Sequence, residues 1–150
     1  MSVDFGSDLR ALLRAERQGM LSTLSVRHLG HPFGSVVPYV LWESGEPLLY
    51  LSRLAAHTQN LLVDPRCSLL IGDSTSKDVQ PARATLVGAC RPLPPEAQGA
   101  GRSAFAARHP DSQALALPDF TAFRLAVDEI RWVGGFAAAA WLAPHTLRGA

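Results

Sequence analysis

Three short stretches of this 150-residue chain hold its densest polar chemistry: Ser22-Thr23, Gly34-Ser35, and the run from Ser52 to Asn60. The last reads Ser52-Arg53-Leu54-Ala55-Ala56-His57-Thr58-Gln59-Asn60. On a helix, His57 and Asn60 stand three residues apart, and Leu54, His57 and Leu61 share a stripe. Backbone N–H groups at the start of that helix, with Ser52 and Arg53 beside them, would make a place for an anion. Each stretch also has a plainer reading. Ser22-Thr23 can be the polar face of an ordinary strand, Gly34-Ser35 a common way from loop into strand, and Ser52 a capping residue. No side chain stands out as an acid, a base or a nucleophile.

The elements that must position these residues are short. Ser7 is expected to cap a helix from about Asp8 to Gln18, with Leu9, Leu12 and Leu13 as its apolar stripe. Met20 to Val26 reads as a strand, with Ser22, Leu24 and Val26 on one face and Leu21, Thr23 and Ser25 on the other. His28 to Pro32 is a loop, and its two histidines read as loop residues rather than metal ligands. Gly34 to Trp42 is a second strand in which Pro38 implies an edge or a bulge. A turn around Gly45 leads into a third strand, Leu48 to Ser52.

A helix from Leu54 to about Val63 follows, stopped by Asp64-Pro65, and Arg66 to Gly72 is the fourth strand. A fifth strand lies within Pro81 to Pro92, and a helix spans Pro94 to Arg108. Phe120 to Val127 alternates as a strand. Asp128-Glu129 is expected to turn it, Ile130 to Val133 to return, and Phe136 to Leu142 to form an apolar tail. Five to seven short strands in sequential hairpins, with two or three helices outside, predict a closed barrel of the α+β class in one domain. Residues 1–7 and 145–150 are expected to be flexible tails.

The order and spacing of the polar stretches carry more than any one of them. Gly19-Met20-Leu21-Ser22-Thr23-Leu24 comes first, then His31-Pro32-Phe33-Gly34-Ser35-Val36-Val37. Leu51-Ser52-x-Leu54-Ala55-x-His57-Thr58-x-Asn60-Leu61 and Asp64-Pro65-Arg66-x-Ser68-Leu69 follow. This series resembles the pyridoxamine 5′-phosphate oxidase-like FMN-binding split barrels, in their haem-utilisation (HugZ/HutZ-type) branch. Ala82-Arg83-Ala84-Thr85-Leu86-Val87-Gly88 and Val133-Gly134-Gly135-Phe136 extend the likeness over roughly residues 8 to 144.

The resemblance implies an antiparallel, Greek-key-like split barrel of about six strands, paired as a homodimer with FMN at the subunit interface. It places Ser22, Thr23, Ser35 and Val36 along the flavin. Ser52, Arg53, Leu54, His57, Thr58 and Asn60 would surround the phosphate and ribityl chain, with Arg53, rather than Arg83, as the charge. It implies an FMN-dependent oxidoreductase acting on a small-molecule substrate. Its alternatives are a haem-binding or haem-degrading protein, or a flavin-binding module without catalysis. Haem, as ligand or substrate, would take His145 as axial ligand, because haem-degrading members use a histidine near the C-terminus. The true oxidases carry Ser-Arg-Lys where this chain has Ser52-Arg53-Leu54, which argues against pyridoxamine phosphate as substrate.

Composition bounds these readings. The formal charge is +1, so no strong field draws the chain to nucleic acid or an anionic membrane surface. Thirteen of its 14 basic residues are Arg, a bias that accompanies many Ala, Leu and Pro and reads as coding preference. Cys67 and Cys90 show neither disulfide nor zinc spacing, no metal site is expected, and no stretch is apolar enough to span a bilayer. The expected compartment is the cytoplasm. A mean hydropathy of +0.09 is high for so small a body and suggests an apolar face covered in an oligomer. Trp42, Trp132 and Trp141 are expected to fill the barrel and that seam.

Overall fold

The computed structural model describes residues 4–135 and 138–149. Helix α1 (Phe5–Ala15) precedes strands β1 (Gln18–Leu24), β2 (Pro32–Leu41) and β3 (Pro47–Ser52). Helix α2 (Ala56–Val63) leads into β4 (Arg66–Gly72) and β5 (Arg83–Pro92). Helix α3 (Gln98–Arg108) is followed by the long β6 (Phe120–Val133) and the short β7 (Ala139–Leu142). The strands lie in the order β3-β2-β1-β4-β5-β6-β7, and an added β3–β6 pairing closes the first six into an antiparallel barrel. Strand β7 stands outside that ring as an extra rung on β6. The α+β barrel with about six strands and peripheral helices is therefore present.

Alternation builds the core. Leu21, Val37, Tyr39, Leu49, Leu69, Ile71, Leu86, Phe123 and Leu125 all face the barrel interior and are buried. Helix α1 closes one side with Leu9, Leu12 and Leu13. Truncating any one of these leucines to Ala is expected to cost about 2–5 kcal/mol. Pro38 sits where β2 changes neighbours, because its pairing with β1 ends there and its pairing with β3 begins at Tyr39. A strand that hands over from one partner to the next tolerates a missing N–H at that point.

Several expectations need correction. The α1 cap is Asp4, whose Oδ1 accepts the Ser7 N–H at 3.0 Å, so the helix takes in Phe5 to Ser7 and shortens the expected N-terminal tail. Asp128-Glu129 does not turn the chain. Strand β6 runs through it, and Asp128 is the extra residue of a bulge between the Val87–Glu129 and Gly88–Val127 pairs. Gly88 is required there, since a Cβ would run into the Ala126 backbone. The buried carboxylate of Glu46 holds the same place: it accepts the Val127 N–H at 2.9 Å and the Arg124 guanidinium at 2.7 Å.

The apolar tail is in part β7, paired with β6, while Phe136 lies outside the described residues. The expected C-terminal tail is largely a 3-10 helix, Pro144–Arg148, tied to α1 by a bond from Arg10 to the Thr146 carbonyl. Helix α2 starts at Ala56, two residues later than expected. No described helix is long and apolar enough to cross a membrane.

Candidate functional site

Strand alternation divides the residues that the resemblance assigns to one ligand. On β1, Leu21, Thr23 and Ser25 point inward, whereas Met20, Ser22 and Leu24 point outward. The β2 partners follow the same division, with Met20 opposite Val36, Ser22 opposite Gly34, and Leu21 opposite Ser35. Ser22 and Val36 therefore share the outer face, and Thr23 and Ser35 the inner one. Four residues expected along one flavin ring lie two on each side of the sheet.

Helix α2 is fastened to β1 by the most polar of the expected residues. The Asn60 amide donates to Thr23 Oγ1 at 3.0 Å, and its Oδ1 accepts the Val26 N–H at 3.0 Å. Asn60 and Thr23 are buried, as is Thr58, whose Oγ1 finds no partner among the described residues. The Asn60 bonds to Thr23 and Val26 hold the helix on the barrel. His57 is half-buried on the same helix, and burial pushes its imidazole pKa below the usual histidine value.

The loop after β3 was expected to be the phosphate corner, and its donors are already engaged. Ser52 Oγ donates to Asp119 Oδ2 at 2.5 Å and accepts the Leu54 N–H at 3.1 Å. The Arg53 N–H goes to the Asp119 carbonyl at 2.8 Å, and the Arg53 carbonyl accepts the Gln59 side-chain amide. A phosphate placed here would meet the Asp119 carboxylate and compete with Asp119 for Ser52 Oγ and the Arg53 N–H. That carboxylate makes the corner a poor place for an anion. The side chains of Arg53 and Leu54 are exposed. Asp119 was not singled out in the sequence, because it reaches Ser52 only through the β3–β6 pairing of strands far apart in the chain.

The five histidines occupy different settings. His109 is buried, with Nε2 2.7 Å from the Tyr39 carbonyl and Nδ1 3.4 Å from Arg17, so both ring nitrogens are engaged. Burial lowers its pKa as well. The Tyr39 phenol donates to the Leu13 carbonyl at 2.6 Å, and burial raises its pKa. His145 is exposed on the C-terminal 3-10 helix. His28 and His31 are exposed in the β1–β2 turn with their rings edge to face, centroids 4.1 Å apart. His28 also borders a cleft of about 380 Å³ between that turn and α2, lined by Val26, Arg27, Phe33, Ala56 and Gln59 among others.

The outer face of the barrel carries an apolar patch. Met20 is 57% exposed, Val36 64% and Val87 40%, and the first two are direct cross-strand partners. At its β7 end Trp141 is exposed beneath the Arg131 guanidinium, 5.1 Å from the ring centroid. Of the other tryptophans, Trp132 is in the core and Trp42 packs against a second cluster around Tyr50 and Phe105. Cys67 and Cys90 are free thiols in the core.

Comparison with known proteins sets this geometry among relatives. Residues 7–147 match the family described as CREG, beta-barrel. The chain is 38% identical over 132 residues to an Arabidopsis thaliana protein named "Non-canonical heme oxygenase HOZ, chloroplastic". That match takes in 88% of this chain and 41% of the Arabidopsis protein, so the chain spans well under half of that relative's length. A heme binding protein from Mycobacterium smegmatis superposes with a TM-score of 0.87 at 28% identity, covering 99% of this chain and 61% of that one. HutZ from Vibrio cholerae, described as a heme storage protein, superposes with a TM-score of 0.70 over 83% of this chain and 91% of its own. At 19% identity it speaks for the fold alone. With nearly its whole length matched, the chain belongs to the CREG β-barrel family of split barrels.

Proposed function

We propose that this chain is a haem-binding protein engaged in haem breakdown in the cytoplasm, acting as a homodimer paired through the outer face of the barrel. The observation that carries haem over flavin is the corner at Ser52, where Asp119 takes the Ser52 hydroxyl and the Arg53 N–H and sets a carboxylate where a flavin phosphate would lie. The Arabidopsis and mycobacterial relatives, named for haem oxygenation and haem binding, support the same choice.

Haem asks for different partners: an imidazole with a ring nitrogen available to iron, apolar surface for the ring, and cations for two propionates. The chain offers exposed imidazoles at His28, His31 and His145, exposed guanidinium groups at Arg27 and Arg53, and exposed apolar side chains at Val26, Leu29 and Phe33. Bound haem would supply an iron able to activate oxygen next to the ring to be opened. The protein's part is to seat the ring, hold the iron through one imidazole, and neutralise the carboxylates. Met20, Val36 and Val87 give the dimer its apolar contact, and a charge introduced there would break it.

Flavin binding is the second reading, favoured by the exposed Arg53 side chain, which makes no ion pair among the described residues. Titration of the purified protein separates the two. Haem is expected to give a saturable Soret band at one equivalent per chain, and FMN to be lost on desalting. Retained yellow flavin with no Soret shift would overturn the haem assignment. Size-exclusion chromatography with light scattering is expected to show a dimer for the wild type and a monomer for Val36→Glu; a monomeric wild type would remove the pairing.

A further inference from the structure

The five histidines are not equal candidates for the iron. His145 is exposed on its 3-10 helix, and the cleft beside that helix, lined by Arg10, Leu13, Arg14, Leu41, Leu147 and Arg148 among others, does not include it. His109 has both nitrogens engaged within the core. His57 shares α2 with the buried Thr58 and Asn60 and is half-covered itself. The β1–β2 turn remains.

That turn is built as a rigid platform. The Ser25 N–H donates to the His31 carbonyl at 2.8 Å, Gly30 N–H to the Ser25 carbonyl at 3.1 Å, and His31 N–H to the His28 carbonyl at 3.0 Å. The His28 N–H is capped by Ser25 Oγ at 2.8 Å. Below it, the Asn60 amide fixes Val26 to α2, so the cleft has a defined wall on each side. The His31 ring packs edge to face on His28 at 4.1 Å, which restricts the rotation of His28. Neither ring makes a hydrogen bond to protein among the described residues. Val26 is 40% exposed and Phe33 38%, and both line the cleft with Arg27.

We propose that His28 is the axial ligand of haem iron, with His31 as the residue that positions it. Val26 and Phe33 form the apolar support, and Arg27 is the cation for a propionate. The assignment rests on the haem reading above, and goes beyond it by moving the ligand from the C-terminal helix to the β1–β2 turn.

Haem titration of four full-length proteins tests it, read by Soret position, apparent Kd and the ligand signature in electron paramagnetic resonance. Wild type and His145→Ala are expected to give the same histidine-ligated spectrum. His28→Ala is expected to lose that signature and at least tenfold in affinity, with added imidazole restoring the band. His31→Ala is expected to keep the signature, with a broadened resonance and a few-fold weaker Kd. Circular dichroism should be unchanged throughout, since all three positions are exposed. An unaltered spectrum and affinity in His28→Ala, with wild type binding haem, overturns the ligand assignment and leaves the haem reading standing. Failure of the wild type itself to bind haem overturns both. Loss of the histidine signature in His145→Ala alone returns the ligand to the C-terminal helix.

Discussion

Two polar regions on either side of the β1–α2 contact reach opposite states. In the seam, the buried Asn60 amide answers both the buried Thr23 Oγ1 and the Val26 N–H, so these groups are spent on the fold. At the turn a few residues on, His28, His31 and Arg27 are open to solvent beside a cleft, with their side chains still available. The difference lies in direction along the strand: residues that face the barrel become its fastenings, and those carried past its rim become a surface for chemistry. A polar cluster marks a binding site only where its donors and acceptors are not already answered by the fold.

The seam makes the larger prediction. Asn60→Ala leaves Thr23 Oγ1 and the Val26 N–H without their partner in a buried place, so it is expected to lower stability by about 2–4 kcal/mol. Denaturant unfolding checks this, and haem titration of the folded fraction should also weaken because the wall of the cleft loosens. A loss under 1 kcal/mol would mean that the seam is not what holds α2. Asp119→Ser sharpens the comparison at the other closed corner. Removing the carboxylate frees Ser52 Oγ, while the Arg53 N–H stays on the backbone carbonyl of residue 119, and FMN affinity should rise measurably above that of the wild type, by fluorescence quenching of the flavin.

Smaller effects follow. Histidine burial at His57 and His109 holds both pKa values below the ordinary 6.5. The unfolded chain then binds protons that the folded one does not, so stability is full above about pH 6.5 and falls as pH drops through the folded values. Thermal unfolding between pH 7.5 and 5 should show this loss, reduced in His57→Gln. The smallest effect is at Thr58, whose buried hydroxyl has no partner among the described residues. Thr58→Val removes an unanswered polar atom at nearly constant volume, so stability should stay level or rise by up to about 1 kcal/mol. A clear loss there would show that the hydroxyl has a partner in solution.

Much of the barrel was legible in the sequence because alternation fixes which side of a strand faces the core. The β1 faces and the hairpin at Gly45 both followed from local pattern. The Asp128-Glu129 bulge was not legible, since an acidic pair looks the same in a turn and in a bulge, and only pairing with β5 distinguishes them. The candidate site was legible in its location near α2 and less so in its composition. Reading Ser22 with Thr23 as one lining ignored the period of two that the same strand obeys. Asp119 and the His28 cleft needed contacts between segments distant in sequence, which periodicity does not carry.

The central claim is that this split barrel answers haem and not flavin. Incubating the full-length protein with equimolar haem and FMN, desalting, and recording one absorption spectrum tests it most directly. A Soret band and no flavin absorbance near 450 nm are expected. A flavin spectrum with haem passing through unbound would contradict it.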